Sequence, residues 1–300
     1  MTQIKGLLGP LRLPFLILTP ACIFLAIACS VYIKGFEHLH VPHSLLLLIG
    51  ALCAHMSVNA LNEYFDFKSG LDFTTQPTVF SGGSGTLPKE PGLANFTLFT
   101  GGLCALICGA IGVYFLSVVG MGLLPIGLIG MALVLLYTPF ITRNATLSLL
   151  CAGLGFGPLM VMGSYYILSG EYAWWVFLIS LMPFFLVNNL LLLNQFPDIS
   201  ADKAVGRKNL AILLGTKKSA FVYGLFLGLA FLVLILSVVF KLLPSMALVG
   251  LIILPVAIWT AAGVIKHHSD VKALLPFMAL NVAMNILMPV VVGIGLVAAS

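Results

Sequence analysis

Nine continuous apolar stretches, each close to the length needed to cross a bilayer, decide what this chain can fold into. They run over 13–33, 44–65, 95–117, 120–138, 147–168, 173–195, 221–240, 246–265 and 274–297. A spanning helix takes about 20 predominantly apolar residues. Only 8% of the 300 residues are charged and 61% are hydrophobic, whereas a soluble domain carries about 25% charged residues. A soluble α/β enzyme, a disulfide scaffold and a disordered chain are therefore excluded. Strands of a membrane barrel alternate apolar and polar residues rather than running apolar throughout, so the spans are helices. The sequence predicts an all-α membrane protein with nine transmembrane helices, one domain over 1–300.

The bases fall where such a topology places them. With nine spans and a cytoplasmic N-terminus, Lys5, Arg12, Lys68, Lys89, Arg143, Lys203, Arg207, Lys208, Lys217, Lys218, Lys266 and Lys272 lie on the cytoplasmic side, against Lys34 and Lys241 outside. That bias obeys the positive-inside rule, and it accounts for the net charge of +5 without a nucleic-acid partner. The expected location is a cell (inner or plasma) membrane. Lys5 and Arg12 precede an apolar stretch with no small-residue cleavage signature, so 13–33 reads as a first span, not a signal peptide. Cys22, Cys29, Cys53, Cys104, Cys108 and Cys151 all lie in apolar runs. None has Cys-x-x-Cys or zinc-ligand spacing, and they read as small helix-packing residues.

Topology does not explain the acids. Glu63, Asp66 and Asp72 crowd the end of the second span, in NEYFDFKSGLD, and Asp198 and Asp202 the end of the sixth, in NQFPDISADK. Two long polar connections, 66–94 and 196–220, carry these motifs as a cytoplasmic cap. Asn62 and Asn194 are 132 residues apart, as are Asp66 and Asp198, an offset compatible with the relic of a repeat.

Residues four apart on a helix share a face. His55, Asn59, Asn62 and Asp66 form such a stripe in the second span, and Asn188, Asn194, Gln195 and Asp198 do something similar in the sixth. Lipid would leave those groups unsatisfied, so the stripes must face the bundle or a cavity. Carboxylates without His or Cys suit Mg²⁺, which takes one or two protein carboxylates together with substrate phosphate oxygens. Two acidic clusters beside Lys68, Lys203, Arg207 and Lys208 make a plausible diphosphate cradle. The plainer alternative is loop acids paired with loop bases.

At these residues the chain resembles the UbiA superfamily of intramembrane prenyltransferases. NEYFDFKSGLD is similar to the menaquinone-synthesis branch and its eukaryotic UBIAD-type relatives. NQFPDISADKAVGRKNLAILLG is similar to the second family motif, and Arg12-Leu13-Pro14-Phe15, Tyr137-Thr138-Pro139 and Phe156-Gly157-Pro158 are further points of likeness. The resemblance implies nine helices with a cytoplasmic polar cap, and Mg²⁺-assisted transfer of an isoprenyl chain from its diphosphate to a dihydroxynaphthoate-like aromatic acceptor. It implies that Asn62, Asp66, Asp72, Asn194, Asp198 and Asp202 hold the metal and diphosphate. Lys68, Arg143, Lys203, Arg207 and Lys208 would contact phosphate. Ser148-Leu149 stands where relatives often carry Gly-Glu, a departure that bears on the acceptor.

An allylic cation needs shelter from water and gains from aromatic faces. Asn59, Tyr64, Tyr137 and Tyr165 are candidates for lining such a cavity. The stretch Phe80–Pro88, rich in Gly and Ser, reads equally as a lid, a phosphate-binding nest or a flexible connector. His267, His268 and Asp270 lack a second cluster and are assigned no metal, and Asn281 and Asn285 suit interhelical hydrogen bonding. A secondary transporter is the main non-enzyme alternative, but its ionisable groups would sit near the midplane. Acceptors such as 4-hydroxybenzoate or a glycerol phosphate lipid, and a terpene cyclase, remain alternatives within the family.

Overall fold

The computed structural model describes residues 7–75 and 77–300; Lys5, counted above with the cytoplasmic bases, lies outside them. All nine apolar stretches become helix: α1 (Gly9–Lys34), α2 (Val41–Ser69), α3 (Pro91–Val119), α4 (Met121–Leu136), α5 (Ala145–Ser169), α6 (Trp174–Ala204), α7 (Leu210–Val239), α8 (Ser245–His267) and α9 (Val271–Val297). Eight are long and apolar enough to cross a membrane, and α4 is apolar but shorter. The chain is an all-helical, multi-pass membrane protein.

Packing divides the helices unequally. α6 lies against α5, α7 and α9, and α9 against α1 and α8. Their shared core includes Leu25, Met182, Leu186, Leu192, Tyr223, Leu234 and Met288, all buried. Amides tie these helices together: Asn188 Oδ1 accepts from the Gly153 amide at 2.7 Å, and Asn189 Nδ2 donates to the Tyr223 carbonyl at 2.8 Å. Tyr223 donates to Asn281 Oδ1 at 3.1 Å, the interhelical bond expected of Asn281, whereas Asn285 donates to the Asn281 carbonyl within α9 itself. In the other half α2 pairs with α3 and α4 leans on both. Only a small cluster of Ile23, Leu47, Phe115, Leu123 and Tyr166 closes that side.

Two boundaries differ from expectation, and both matter for the site. The connection expected over 196–220 shrinks to 205–209, because α6 continues through Pro197 to Ala204 and α7 starts at Leu210. A proline costs a helix one hydrogen bond, but neighbouring helices compensate inside a bundle. Asn209 caps α7 by accepting from the Ile212 amide at 2.8 Å, and α7 kinks at Gly215. At the first junction α2 runs on to Ser69 and stops at Gly70, whose φ is 83°. Short helices Leu71–Thr74 and Thr86–Lys89 then flank the glycine-rich loop. Within α5, residues Gly155–Met162 form a π-helical stretch containing Pro158, a local widening often found at functional sites.

Candidate active site

The loose half encloses a cavity of about 660 Å³. Its walls are apolar residues of α2 to α5, among them Ala54, Cys108, Met131 and Leu159, and it reaches Leu47 and Phe115 at the far end. Leu47 lies 19 residues before Asp66, which at 1.5 Å per residue is about 28 Å along α2. The cavity is therefore nearly as deep as a bilayer core. Its other end is polar, formed by Arg12, Asn62, Asp66, Asp72, Asn194, Asp198, Asp202, Arg207 and Asn209.

The α2 stripe is satisfied by α1, by the turn after α4 and by the 205–209 connection. His55 Nδ1 pairs with Thr19 Oγ1 at 2.8 Å, Asn59 donates to the Leu11 carbonyl at 3.1 Å, and Asn62 donates to Thr138 Oγ1 at 3.3 Å. Asp66 accepts from Arg207, which also donates to Asp202 at 3.4 Å. One guanidinium thus ties the two acidic junctions together. Asn209 Nδ2 donates to the second Asp202 oxygen at 2.7 Å. The acid positions on α2 and α6 converge because both helices keep their phase past the expected ends.

Among the described residues, two carboxylate oxygens in this head have no partner: Asp72 Oδ2 and Asp198 Oδ1, both buried. Unpaired buried acceptors are costly, so these atoms suit a cation. Among the described residues no three Asp, Glu, His or Cys side chains converge as a ready-made chelate. That donor set fits Mg²⁺, which completes its shell with water and phosphate oxygens. The Asp72 carboxyl is pushed up to about 7, by burial first and then by Asp66 and Glu63, with Arg12 and Arg207 pulling down.

The glycine-rich loop closes over the same head. Phe80, Ser81, Gly82 and Gly83 line the cavity together with Asp198. Gly83, at φ 75°, passes so close to Glu63, Asp72 and Arg12 that a Cβ there would sit 3.2 to 3.5 Å from their polar atoms.

Other expected residues are not brought together. Lys68, Arg143, Lys203 and Lys208 are exposed and outside the cavity lining. Lys68 is two positions past Asp66, on the opposite face of α2, and lies over the Tyr64 ring at 5.7 Å from its centroid. Lys203 follows Asp202 by one position and turns outward, while Asp202 faces the cavity. Tyr64 packs on Phe65 instead of lining the cavity. Tyr165 is buried in the tight half against Trp175, on the other side of α5. Tyr137 does line the cavity and donates to the Ser148 carbonyl at 3.1 Å, as Asn59 lines it above.

The profile of the UbiA prenyltransferase family matches residues 17–285. The chain belongs to this family. It is 35% identical over 179 residues to the 1,4-dihydroxy-2-naphthoate octaprenyltransferase of Bacillus subtilis, covering 58% of this chain and 55% of that one. The match thus spans about half the length of that relative. A 2-carboxy-1,4-naphthoquinone phytyltransferase of Synechocystis is 25% identical over 229 residues, 75% of this chain and 72% of that one. A UbiA homologue of Archaeoglobus fulgidus bound to GPP and Mg²⁺ superposes with a TM-score of 0.63 at 15% identity, covering 98% of this chain and 99% of that one. That last likeness concerns the fold.

Sequence reasoning gave no role in the site to three residues of the head. Arg12 stood out as a charge entering an apolar run and as part of the Arg12-Leu13-Pro14-Phe15 likeness, with no role attached. Glu63 was one acid of a cluster, and Asn209 a loop residue. The signal for Arg12 is its place inside α1, where a cation must find a partner; that partner, Glu63, is 51 residues away.

Proposed function

We propose that this enzyme transfers an isoprenyl chain from its diphosphate to a dihydroxynaphthoate-like aromatic ring in quinone biosynthesis, with Mg²⁺. The observation that supports it most is the pairing of two orphaned carboxylate oxygens with a deep apolar cavity behind them. A charged head and a long hydrocarbon tail on one substrate call for that combination. The kinship with a dihydroxynaphthoate octaprenyltransferase supports the acceptor class. The positive-inside bias supports a head at the cytoplasmic boundary.

Asn62, Asp66, Asp72, Asn194, Asp198 and Asp202 would hold the metal. The chemistry that Mg²⁺ would supply there is charge neutralisation of the diphosphate leaving group. Arg207 and Arg12, already in the head, stabilise the same charge as it develops. The C1–O bond of the substrate breaks with its electron pair going to diphosphate. A ring carbon of the acceptor bonds to C1, and the proton on that carbon is then lost. The apolar walls and the glycine-rich loop exclude water from the allylic cation, and Tyr137 offers an aromatic face in the cavity wall. A dihydroxylated ring supplies its own electron density, so orientation is the protein's main contribution.

Purified enzyme in nanodiscs, given labelled polyprenyl diphosphate, tests this with 1,4-dihydroxy-2-naphthoate, 4-hydroxybenzoate and a glycerol phosphate lipid in competition. The naphthoate product should dominate, EDTA should stop turnover and Mg²⁺ should restore it. Preference for either other acceptor refutes the acceptor assignment. Full activity without divalent metal refutes the mechanism.

A further inference from the structure

Glu63 belongs by sequence to the acidic cluster, and its surroundings set it apart. Its side chain is completely buried. Oε1 accepts from Arg12 Nε and Nη2, both at 2.8 Å, and from the Ser84 amide at 2.7 Å. Oε2 accepts from the Ser84 hydroxyl at 2.7 Å. Both oxygens are engaged by donors, unlike Asp72 Oδ2 and Asp198 Oδ1, which have none among the described residues. A carboxylate so occupied would have to give up charge-assisted hydrogen bonds to take a metal.

Both partners of Glu63 lead into the substrate cavity. Arg12 lines it and stands in left-handed backbone at φ 50°, between the turns Gly9–Leu11 and Leu13–Ile17. That conformation is unfavourable for a residue with a side chain, and it persists where surrounding contacts impose it. Ser84 adjoins Gly83, whose backbone packs against Glu63, Asp72 and Arg12. Ser84 Oγ also bonds Thr86 Oγ1 at 2.9 Å, and the Thr86 amide returns to Ser84 Oγ at 3.2 Å. Glu63 thereby anchors the start of α1 and the last residues of the loop to α2.

We infer that Glu63 is a positioning residue and no metal ligand: it clamps the glycine-rich loop and Arg12 over the diphosphate end of the cavity. The inference rests on the prenyl-diphosphate reading above. Being carried by α2 itself, the clamp fixes both groups relative to Asp66, three residues further along the helix.

The test uses the full chain in nanodiscs with Glu63→Gln, which keeps the shape and turns a donor toward Ser84 and Arg12. Ser84→Ala is a milder second variant that removes only the hydroxyl. Amide hydrogen exchange over 77–86 is read without substrate; Mg²⁺ half-saturation and the KM for prenyl diphosphate are read with it. Glu63→Gln should speed loop exchange and raise the KM by about 10- to 100-fold, the scale of a lost hydrogen bond to a charged group. Half-saturating Mg²⁺ should stay within about threefold at saturating diphosphate. Ser84→Ala should move the same quantities less, and the double variant should add little to Glu63→Gln. A large shift in Mg²⁺ half-saturation with loop exchange unchanged would make Glu63 a ligand and overturn the inference, as would unchanged behaviour in all three readouts. If the unmodified enzyme transfers no prenyl group, the parent reading falls, and the exchange arm still decides whether Glu63 holds the loop.

Discussion

At the end of α2 the chain leaves the helix within four residues of Asp66, turning at Gly70 so that Asp72 comes off a separate short helix. At the end of α6 the helix carries on through Pro197, and Asp198 and Asp202 project from one continuous face. The two junctions share their Asn-x-x-x-Asp spacing and differ in stiffness. The α6 side offers a preformed pair of carboxylates one turn apart. The α2 side needs Gly70, the loop and Glu63 to bring its second acid into place. Arg207 spans the difference, pairing with Asp66 on one side and Asp202 on the other. Symmetric spacing in a sequence can thus be realised by one rigid and one assembled arm.

The largest effect comes from breaking either arm at its leading acid. Asp66→Ala or Asp198→Ala should reduce prenyl transfer by about 10²–10³ or more, the scale of removing a group aimed at developing charge. Steady-state turnover with matched size-exclusion profiles checks it. A variant of either that keeps a tenth of the activity would mean one junction suffices.

Breaking the bridge comes next. Arg207→Ala removes a cation from two carboxylates that are each only 8% exposed in the side chain, and breaking such a buried pair is destabilising. Activity should fall about 10- to 100-fold and thermal stability should drop. Arg207→Lys should recover little, since one ammonium lacks the fork that reaches two acids. Thermal melts and turnover together check it; full recovery by lysine would show that net charge alone matters.

How much of this could be read from residues alone follows from which forces act locally. A bilayer leaves the backbone little choice but helix, so the nine apolar runs sufficed for the fold, and Asp66 and Asp198 stood out as acids where lipid tolerates none. Helix phase was harder. Lys68 and Lys203 sit beside the motifs in sequence and turn away from them in space, while Arg12, far from both motifs, turns in. The continuation of α6 past Pro197 is a matter of tertiary packing in the bundle, which no local signal contains. The same applies to Tyr165, whose aromatic character suited a cavity and whose side of α5 faces the tight half.

A smaller effect separates the arms by pH. Asp72 on the assembled arm has its folded value near 7, above the ordinary 3.8. The folded protein therefore favours the neutral acid: the associated stability is fully present below about pH 4 and is lost as pH rises through about 7. Metal binding has the opposite sign, because the ligand must be deprotonated. Half-saturating Mg²⁺ should fall as pH rises through about 7, and Asp72→Asn should flatten that dependence. Titration of Mg²⁺-dependent turnover from about pH 5.5 to 8.5 checks it. An identical slope in the variant would assign the proton elsewhere.

The smallest effect is expected from the bases that flank the motifs. Lys68, Arg143, Lys203 and Lys208 are exposed and absent from the cavity wall. Charges in water act weakly beyond a Debye length of about 8–10 Å, so each Ala variant should change the KM for prenyl diphosphate by less than about threefold, the size of an exposed pair. Arg12 and Arg207 are the internal cations of the head, and they are reached from α1 and from the short 205–209 connection rather than from the motifs' own flanks. A combined variant at the four exposed positions sharpens the contrast, because long-range attraction would then show as a salt-dependent loss that vanishes at high ionic strength. If a single one of these substitutions raised the KM tenfold at high salt, that side chain would have to fold into the cavity when diphosphate binds. The polar head would then be completed by movement of the flanks, and the rigid α6 arm would be rigid only up to Ala204.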